Sequence, residues 1–187
     1  MLFRSAIEDH TQAIELEPGR ALGFIRRGGL YLVSDAPKLA LHDFREAVRL
    51  DSSNGDALSG RAAALVRLGQ YREAVADAEK GLGLGAFTAQ RLYSAARIYA
   101  RAAAVAGAST RTKGRESLIL VEQYQDRGTA LLREAMKRLP AGERTKFWRE
   151  IVQSEPDPAM NVLRRRLRAS DFDSQASVNP GGRREEP

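Results

Sequence analysis

Few residues in this chain have the types and spacing that chemistry needs. His42 stands beside Asp43, a combination that can bind a metal or move a proton. Adjacent helix residues do not face each other, and no third ligand stands near them in the sequence. The pair therefore reads as a surface histidine next to an unrelated carboxylate. With two histidines and no cysteine, a zinc site is not expected and disulfides are excluded. The stretch Gly81-Leu82-Gly83-Leu84-Gly85 is glycine-rich, but it follows a helical pattern and lacks the lysine of a phosphate loop. Arg164-Arg165-Arg166 with Arg168 forms a basic run that could meet an acidic partner or a phosphate backbone; its plainer reading is a solvated face. Ser170 follows that run as a candidate for phosphorylation, and Trp148 reads as a core residue of a terminal cap. No paired carboxylates share a buried face, and no nucleophile stands with a base. The expectation is no catalytic residue, no metal, no cofactor and no enzymatic activity.

The stronger signal is recurrence. Adding 34 to Phe24 gives Leu58 and then Leu92; Gly28 gives Ala62 and Ala96; Tyr31 gives Leu65 and Tyr99. Ala40 lands on Ala74 and, stepping back, on Ala6, while Ala47 lands on Gly81 and Ala13. Large residues recur at two places in the unit and small ones at others. A fixed period of this length marks a solenoid of stacked supersecondary units. The small residues have a physical purpose, because two helices approach to about 8–10 Å only where the side chains at the crossing are small.

Residues 21–54, ALGFIRRGGLYLVSDAPKLALHDFREAVRLDSSN, resemble the tetratricopeptide repeat. That family carries a large residue at repeat position four, a small one at eight and an aromatic at eleven. Alanine then stands at twenty, an aromatic at twenty-four, alanine at twenty-seven and proline at thirty-two. Phe24, Gly28, Tyr31, Ala40, Phe44 and Ala47 match, with Ser52 in place of the proline and Pro18 in that place one unit earlier. His10 falls where other units carry an aromatic, which gives it a packing role. The usual leucine at position seven is replaced by Arg27 and Arg61, which are expected to bury their stems and keep their heads in water. The resemblance holds over residues 1–106. A shorter one, DPAMNVLRRRLRASDF at 157–172, is to the closing segments of repeat arrays at the C-terminal ends of large bacterial proteins.

The elements follow from this register, and the fold expected is all-α, an α-solenoid of antiparallel helix pairs. Residues 1–20 form the second helix of an incomplete first repeat, with Phe3 following a turn. Residues 21–54 and 55–88 are full repeats, with helices at 21–33, 37–50, 55–67 and 71–83. Residues 89–139 form an extended repeat. The step from position eleven to position twenty is nine residues in Tyr31 to Ala40 and in Leu65 to Ala74, but 29 in Tyr99 to Gly128. About twenty residues are thus inserted, lengthening both helices around a polar loop near 107–115. Residues 140–170 are capping helices, with Phe147, Trp148 and Ile151 facing inward. Residues 171–187 lose apolar periodicity and read as a disordered tail. The first helix lacks its partner, so another chain or an upstream helix is expected to dock at that edge.

Net charge is +6. The excess is −1 over residues 1–54 (7 basic, 8 acidic), +3 over 55–105 (7 and 4) and +4 over 106–187 (16 and 12). That surplus admits nucleic acid but is not the dense patch it asks for. No apolar run reaches a membrane span, and the opening MLFRSAIEDHTQ does not read as a secretory leader; the expected setting is cytoplasmic. The function expected is a protein–protein interaction scaffold that holds a peptide or partner in a concave groove. The alternative is an RNA-associated helical repeat using the basic C-terminal half.

The resemblance implies that repeat positions two, five, nine, twelve and thirteen line the groove. The partner-binding residues then include Leu22, Ile25 and Gly29 of the first full unit, Asp56, Ser59 and Arg67 of the second, and Gln90, Tyr93, Arg97 and Arg101 of the third. Chaperone-binding members clamp a terminal carboxylate with Lys and Asn at positions five and nine. Here Ile25, Gly29, Ser59 and Ala63 stand in those places, so that clamp is not reproduced. The groove is instead apolar at one end and basic at the other. The ligand expected is a peptide with an apolar segment and an acidic segment, the latter held by Arg67, Arg97 and Arg101.

Overall fold

A computed structural model describes residues 2–86, 88–109 and 115–167, without the side chains of Leu2, Phe3 and Ser109. The tail at 171–187, Ser170, Arg168, the packing of Phe3 and the centre of the loop at 110–114 lie outside these residues. The described residues form an α-solenoid of antiparallel helix pairs and contain no strand. The helices are α1 (Leu2–Leu16), α2 (Ala21–Val33), α3 (Pro37–Leu50), α4 (Gly55–Arg67), α5 (Tyr71–Leu82), α6 (Ala89–Ser109), α7 (Arg115–Lys137), α8 (Ala141–Phe147) and α9 (Met160–Arg166). A π-helical turn, Trp148–Val152, continues α8. Helix α2 packs on α3, α4 on α5 and α6 on α7, and each pair packs on the next.

Local sequence sets the boundaries. Pro37 opens α3 where no backbone donor is needed. The Asn54 side chain caps α4, accepting hydrogen bonds from Asp56 N and Ala57 N at 3.1 and 3.0 Å. Helices α2 and α4 end in the same motif, 34 residues apart. Ala36 N donates to Tyr31 O at 2.8 Å and Gln70 N to Leu65 O at 3.0 Å. The residues at the bend, Asp35 and Gly69, have φ of 53° and 82°. This is a Schellman C-cap, which calls for a left-handed residue. Glycine supplies it freely; Asp35 adopts it at a steric cost.

The recurrent small residues lie at the crossings. Gly28, Ala40, Ala47, Ala62, Ala74 and Ala96 are buried, as are Phe44, Leu65 and Tyr99, with Phe24 and Tyr31 half-buried. Phe44 wedges between α2 and α4. A Cβ on Gly28 would lie 3.1 Å from its ring, and one on Gly60 only 2.1 Å away, so Gly60 is what lets the ring in. Gly128 allows a similar close approach further along, where an added Cβ would lie 3.2 Å from Tyr99 Cβ and 3.0 Å from Leu163.

Arg27 and Arg61 depart from the snorkelling expected of them. The Arg27 guanidinium holds Asp43 through Nε and Nη2, both at 2.8 Å. Arg61 holds Asp77 in the same way at 2.6 and 2.7 Å. Each pair spans 16 residues and ties the two helices of one unit. Asp43 is 1% exposed, so a head left in water would strand a buried carboxylate, and the two groups pair instead. His42 is exposed and points away from its neighbour.

The third pair is longer, as the insertion predicts, and α6 runs to Ser109. Its junction with α5 carries a polar contact beside the apolar core. Glu79 accepts hydrogen bonds from Arg127 at 2.7 and 2.9 Å and from the Tyr99 hydroxyl at 2.7 Å. Beyond α7, the cap buries Phe147, Val152, Met160, Leu163 and Leu167. Ile151 is exposed and Val152 takes the inward place, because the wider π-helical turn shifts the facing positions.

Candidate functional site

Residues of α2, α4 and α6, the first helices of the three units, come together at one surface. A cavity of about 610 Å³ opens there. Gly29, Leu32 and Val33 form one side and Ser59, Gly60, Ala63 and Val66 the floor. Arg67, Ser94, Arg97, Ile98 and Arg101 form the far side. The small residues hollow it: Gly29 would carry a Cβ into open space, and Ala63 is half-buried. Val33 is 65% exposed at the apolar rim. Of the residues expected in the groove, Gly29, Ser59, Arg67, Arg97 and Arg101 meet in this cavity.

The others lie elsewhere. Leu22, 53% exposed, lines a second hollow of about 380 Å³ between α1 and α2, with His10, Ala13, Leu16 and Arg26. Ile25 packs into the core between units. Asp56 accepts a hydrogen bond from Arg91 at 2.9 Å, and Gln90 is exposed one residue before that arginine. Tyr93 is only 3% exposed. Its ring meets Phe147 edge-on at 5.6 Å, and its hydroxyl donates toward Ile151 O at 3.2 Å and Glu155 Oε2 at 3.0 Å. Burial, with the Glu155 carboxylate beside it, pushes that phenol up from its ordinary range.

The remaining wall of the cavity comes from the chain itself. Glu155, Pro156, Asp157 and Pro158, between the π-helical turn and α9, close the basic end. Arg97 Nε lies 2.8 Å from Glu155 Oε2, and Nη2 donates to Oε1 at 3.3 Å. Nε is close but lacks hydrogen-bond alignment and has no other acceptor. Arg101 Nε lies 3.0 Å from Asp157 Oδ2. The segment is braced from behind by Arg164, which donates to Val152 O at 2.8 Å and to Glu155 O. Asp157 Oδ1 also accepts from Ala159 N at 3.0 Å, near the start of α9. Arg67 donates to Leu32 O at 2.5 Å, with the exposed Asp35 carboxylate 3.8 Å away.

Sequence reasoning missed this segment. Residues 140–170 read as a cap on the open apolar end of the stack, with no contact to the groove. A usable signal was present. Arg97 and Arg101 are four apart on a helix, which separates them by about 6 Å along its axis. Glu155 and Asp157 are two apart, each followed by a proline, and extended chain spaces such residues by roughly 6.6 Å. Two arginines of the basic run at 164–166 are likewise held within the fold, while Arg165 is exposed. Arg164 braces the cap, and Arg166 holds Asp126 and, at 2.8 Å, Gln125 Oε1. Among the described residues no group of three or more His, Asp or Glu could hold a metal ion, and no helix is long and apolar enough to cross a membrane.

The 34-residue register, the Schellman turns and the antiparallel pairs make the helix pairs similar to tetratricopeptide repeats. No protein-family model matches the chain. It is 36% identical over 77 residues to serine/threonine-protein phosphatase 5 of Mus musculus, which is 41% of this chain and 15% of that protein. It is 33% identical over 75 residues to the TPR repeat-containing thioredoxin TDX of Arabidopsis thaliana, 40% of this chain and 20% of that one. The chain thus spans a fifth or less of the length of these relatives, and the phosphatase and thioredoxin of their names are theirs. Among solved structures, MamA is similar at a TM-score of 0.48 and 14% identity, over 77% of this chain and 91% of that one. YrrB, a TPR protein with an unusual peptide-binding site, is similar at 0.46 and 19%, over 87% and 100%.

Proposed function

We propose that this chain is a non-catalytic interaction scaffold that receives a peptide or a segment of a partner protein in the groove of α2, α4 and α6. The open cavity carries this reading: it is hollowed by Gly29, Gly60 and Ala63 and rimmed by the exposed Val33. Its apolar end, with Leu32 and Val66, suits an aliphatic or aromatic anchor, the usual source of affinity in such grooves. Its basic end, with Arg67, Arg97 and Arg101, suits an acidic segment through charge-assisted hydrogen bonds. Leu22 and the hollow beside α1 offer a second contact area for a docked chain.

The arginines also bear on the RNA alternative. Outside the groove, Arg91, Arg127, Arg164 and Arg166 each hold a carboxylate or a backbone carbonyl. A phosphate backbone asks for a continuous row of available cations, so these commitments favour a protein partner. The test is capture of a partner by the purified chain, followed by its affinity for chains carrying Val33→Glu and Ala63→Glu. Affinity is expected to fall at least tenfold. Unchanged affinity would place the binding surface elsewhere.

A further inference from the structure

Arg97 and Arg101 are cations on a groove wall, yet neither is bare. Their counter-charges come from 58 residues away for Arg97 and from Asp157 for Arg101, on a segment that is neither helix nor strand. Pro156 and Pro158 keep that segment extended and lie exposed at the surface, while the carboxylates of Glu155 and Asp157, each just before a proline, turn inward at 9% and 13% exposure. A short acidic stretch in extended form, with its carboxylates over a pair of arginines, is the arrangement of a bound peptide ligand. Here the chain supplies it.

The fit is incomplete as well as internal. Arg97 Nε has no aligned acceptor, and its side chain is 42% exposed. In Arg27–Asp43 and Arg61–Asp77 both bonds of each fork are made. A fork that grips only partly is one that another carboxylate can grip better.

On the reading that this groove is the binding surface, we propose that Glu155–Pro158 is a tethered occupant of its basic end, exchanged for a partner. The partner it fits is an extended peptide with two carboxylates two residues apart. Such a peptide takes Arg97 and Arg101 when the segment lifts away. Its observed affinity is its intrinsic affinity multiplied by the fraction of chains with the segment lifted. Removing the two carboxylates from the chain therefore strengthens binding of the acidic peptide, although the arginines are untouched.

The test uses the full chain and a labelled synthetic peptide copying residues 151–160. The control peptide replaces its Glu and Asp by Gln and Asn. Glu155→Gln with Asp157→Asn in the chain is expected to bind the acidic peptide at least tenfold more tightly than the original chain. The gain should vanish with the control peptide, and also when Arg97→Gln and Arg101→Gln are added. No gain in a variant of unchanged helical content, or a gain that survives loss of both arginines, overturns the proposal. If the variant loses helical content, hydrogen exchange on the original chain decides. Millimolar acidic peptide should speed exchange in residues 148–166 and slow it in α6, and unchanged exchange there overturns the proposal. Because the apolar end is probed separately through Val33 and Ala63, failure of this proposal leaves the groove reading standing, and the two failures are told apart.

Discussion

The repeat stack and the cap are both pinned by arginine–carboxylate pairs, and the pairs are built differently. In the stack, Arg27–Asp43 and Arg61–Asp77 repeat one geometry 34 residues apart, two bonds each, with Asp43 almost fully buried. At the cap, Arg97–Glu155 and Arg101–Asp157 join distant parts of the chain, and their arginines stay more than a third exposed to water or close to it. A buried pair that loses one member strands a charge where nothing can solvate it; a half-exposed pair that loses one member is rescued by solvent. The same chemistry therefore serves as a fixed joint in one place and a separable one in the other.

The largest effect expected from this difference is at Asp43. Asp43→Ala should cost about 3 kcal/mol in denaturant unfolding by leaving the Arg27 head unpaired in the stack. Arg27→Met with Asp43→Leu should recover most of that loss, since a packed apolar pair avoids the desolvation. A cost for Asp43→Ala no larger than that at the cap would erase the contrast. Next comes Gly60→Ala, which drives a methyl into the Phe44 ring and should cost about 1–3 kcal/mol, as should Ala40→Leu at its own crossing. At the cap, Glu155→Gln with Asp157→Asn should cost roughly 1 kcal/mol or less and leave the unfolding of α2–α5 unchanged, as read by hydrogen exchange.

Two smaller effects sharpen the picture inside the stack. Asp35→Gly should stabilise by about 0.5–1 kcal/mol, because the left-handed bend then carries no Cβ. Gly69→Ala, the same place one unit on, should destabilise. The last concerns acid. Arg127, and after it the Tyr99 hydroxyl, holds the Glu79 carboxyl below its ordinary value of 4.5. A lowered carboxylate pKa adds stability that is complete above the ordinary value and lost as pH falls through the folded one. Thermal unfolding followed from pH 6 downward should show a loss below pH about 4 that Glu79→Gln reduces.

Much of the stack was legible because its rules are local and repeat. Gly28, Ala40 and Ala74 announce their crossings through spacing alone, and Pro37 announces a helix start through its own chemistry. Gly60 did not, because its reason is the Phe44 ring arriving from another helix, and no period carries that information. The Arg27–Asp43 pair was legible in principle. The 16-residue spacing recurs at Arg61–Asp77, but a long cationic side chain at a leucine position invites a solvent-facing reading first. The groove was half legible. Register placed Gly29, Ser59 and Arg67 on one face, but register ends where the repeats end. The meeting of Glu155 and Asp157 with α6 depends on how the cap folds back, which is a tertiary fact.

The separations along the chain also bear on the order of assembly. Each stack pair closes a loop of 16 residues, whereas Arg97 must find Glu155 across 58. Loop closure grows costlier with the logarithm of length, by roughly 1 kcal/mol between these two spans. Contacts that are near in sequence form sooner. The groove of α2, α4 and α6 is thus expected to form before the segment at its basic end docks. On every refolding, the first encounter of those arginines is open to whichever carboxylates are at hand.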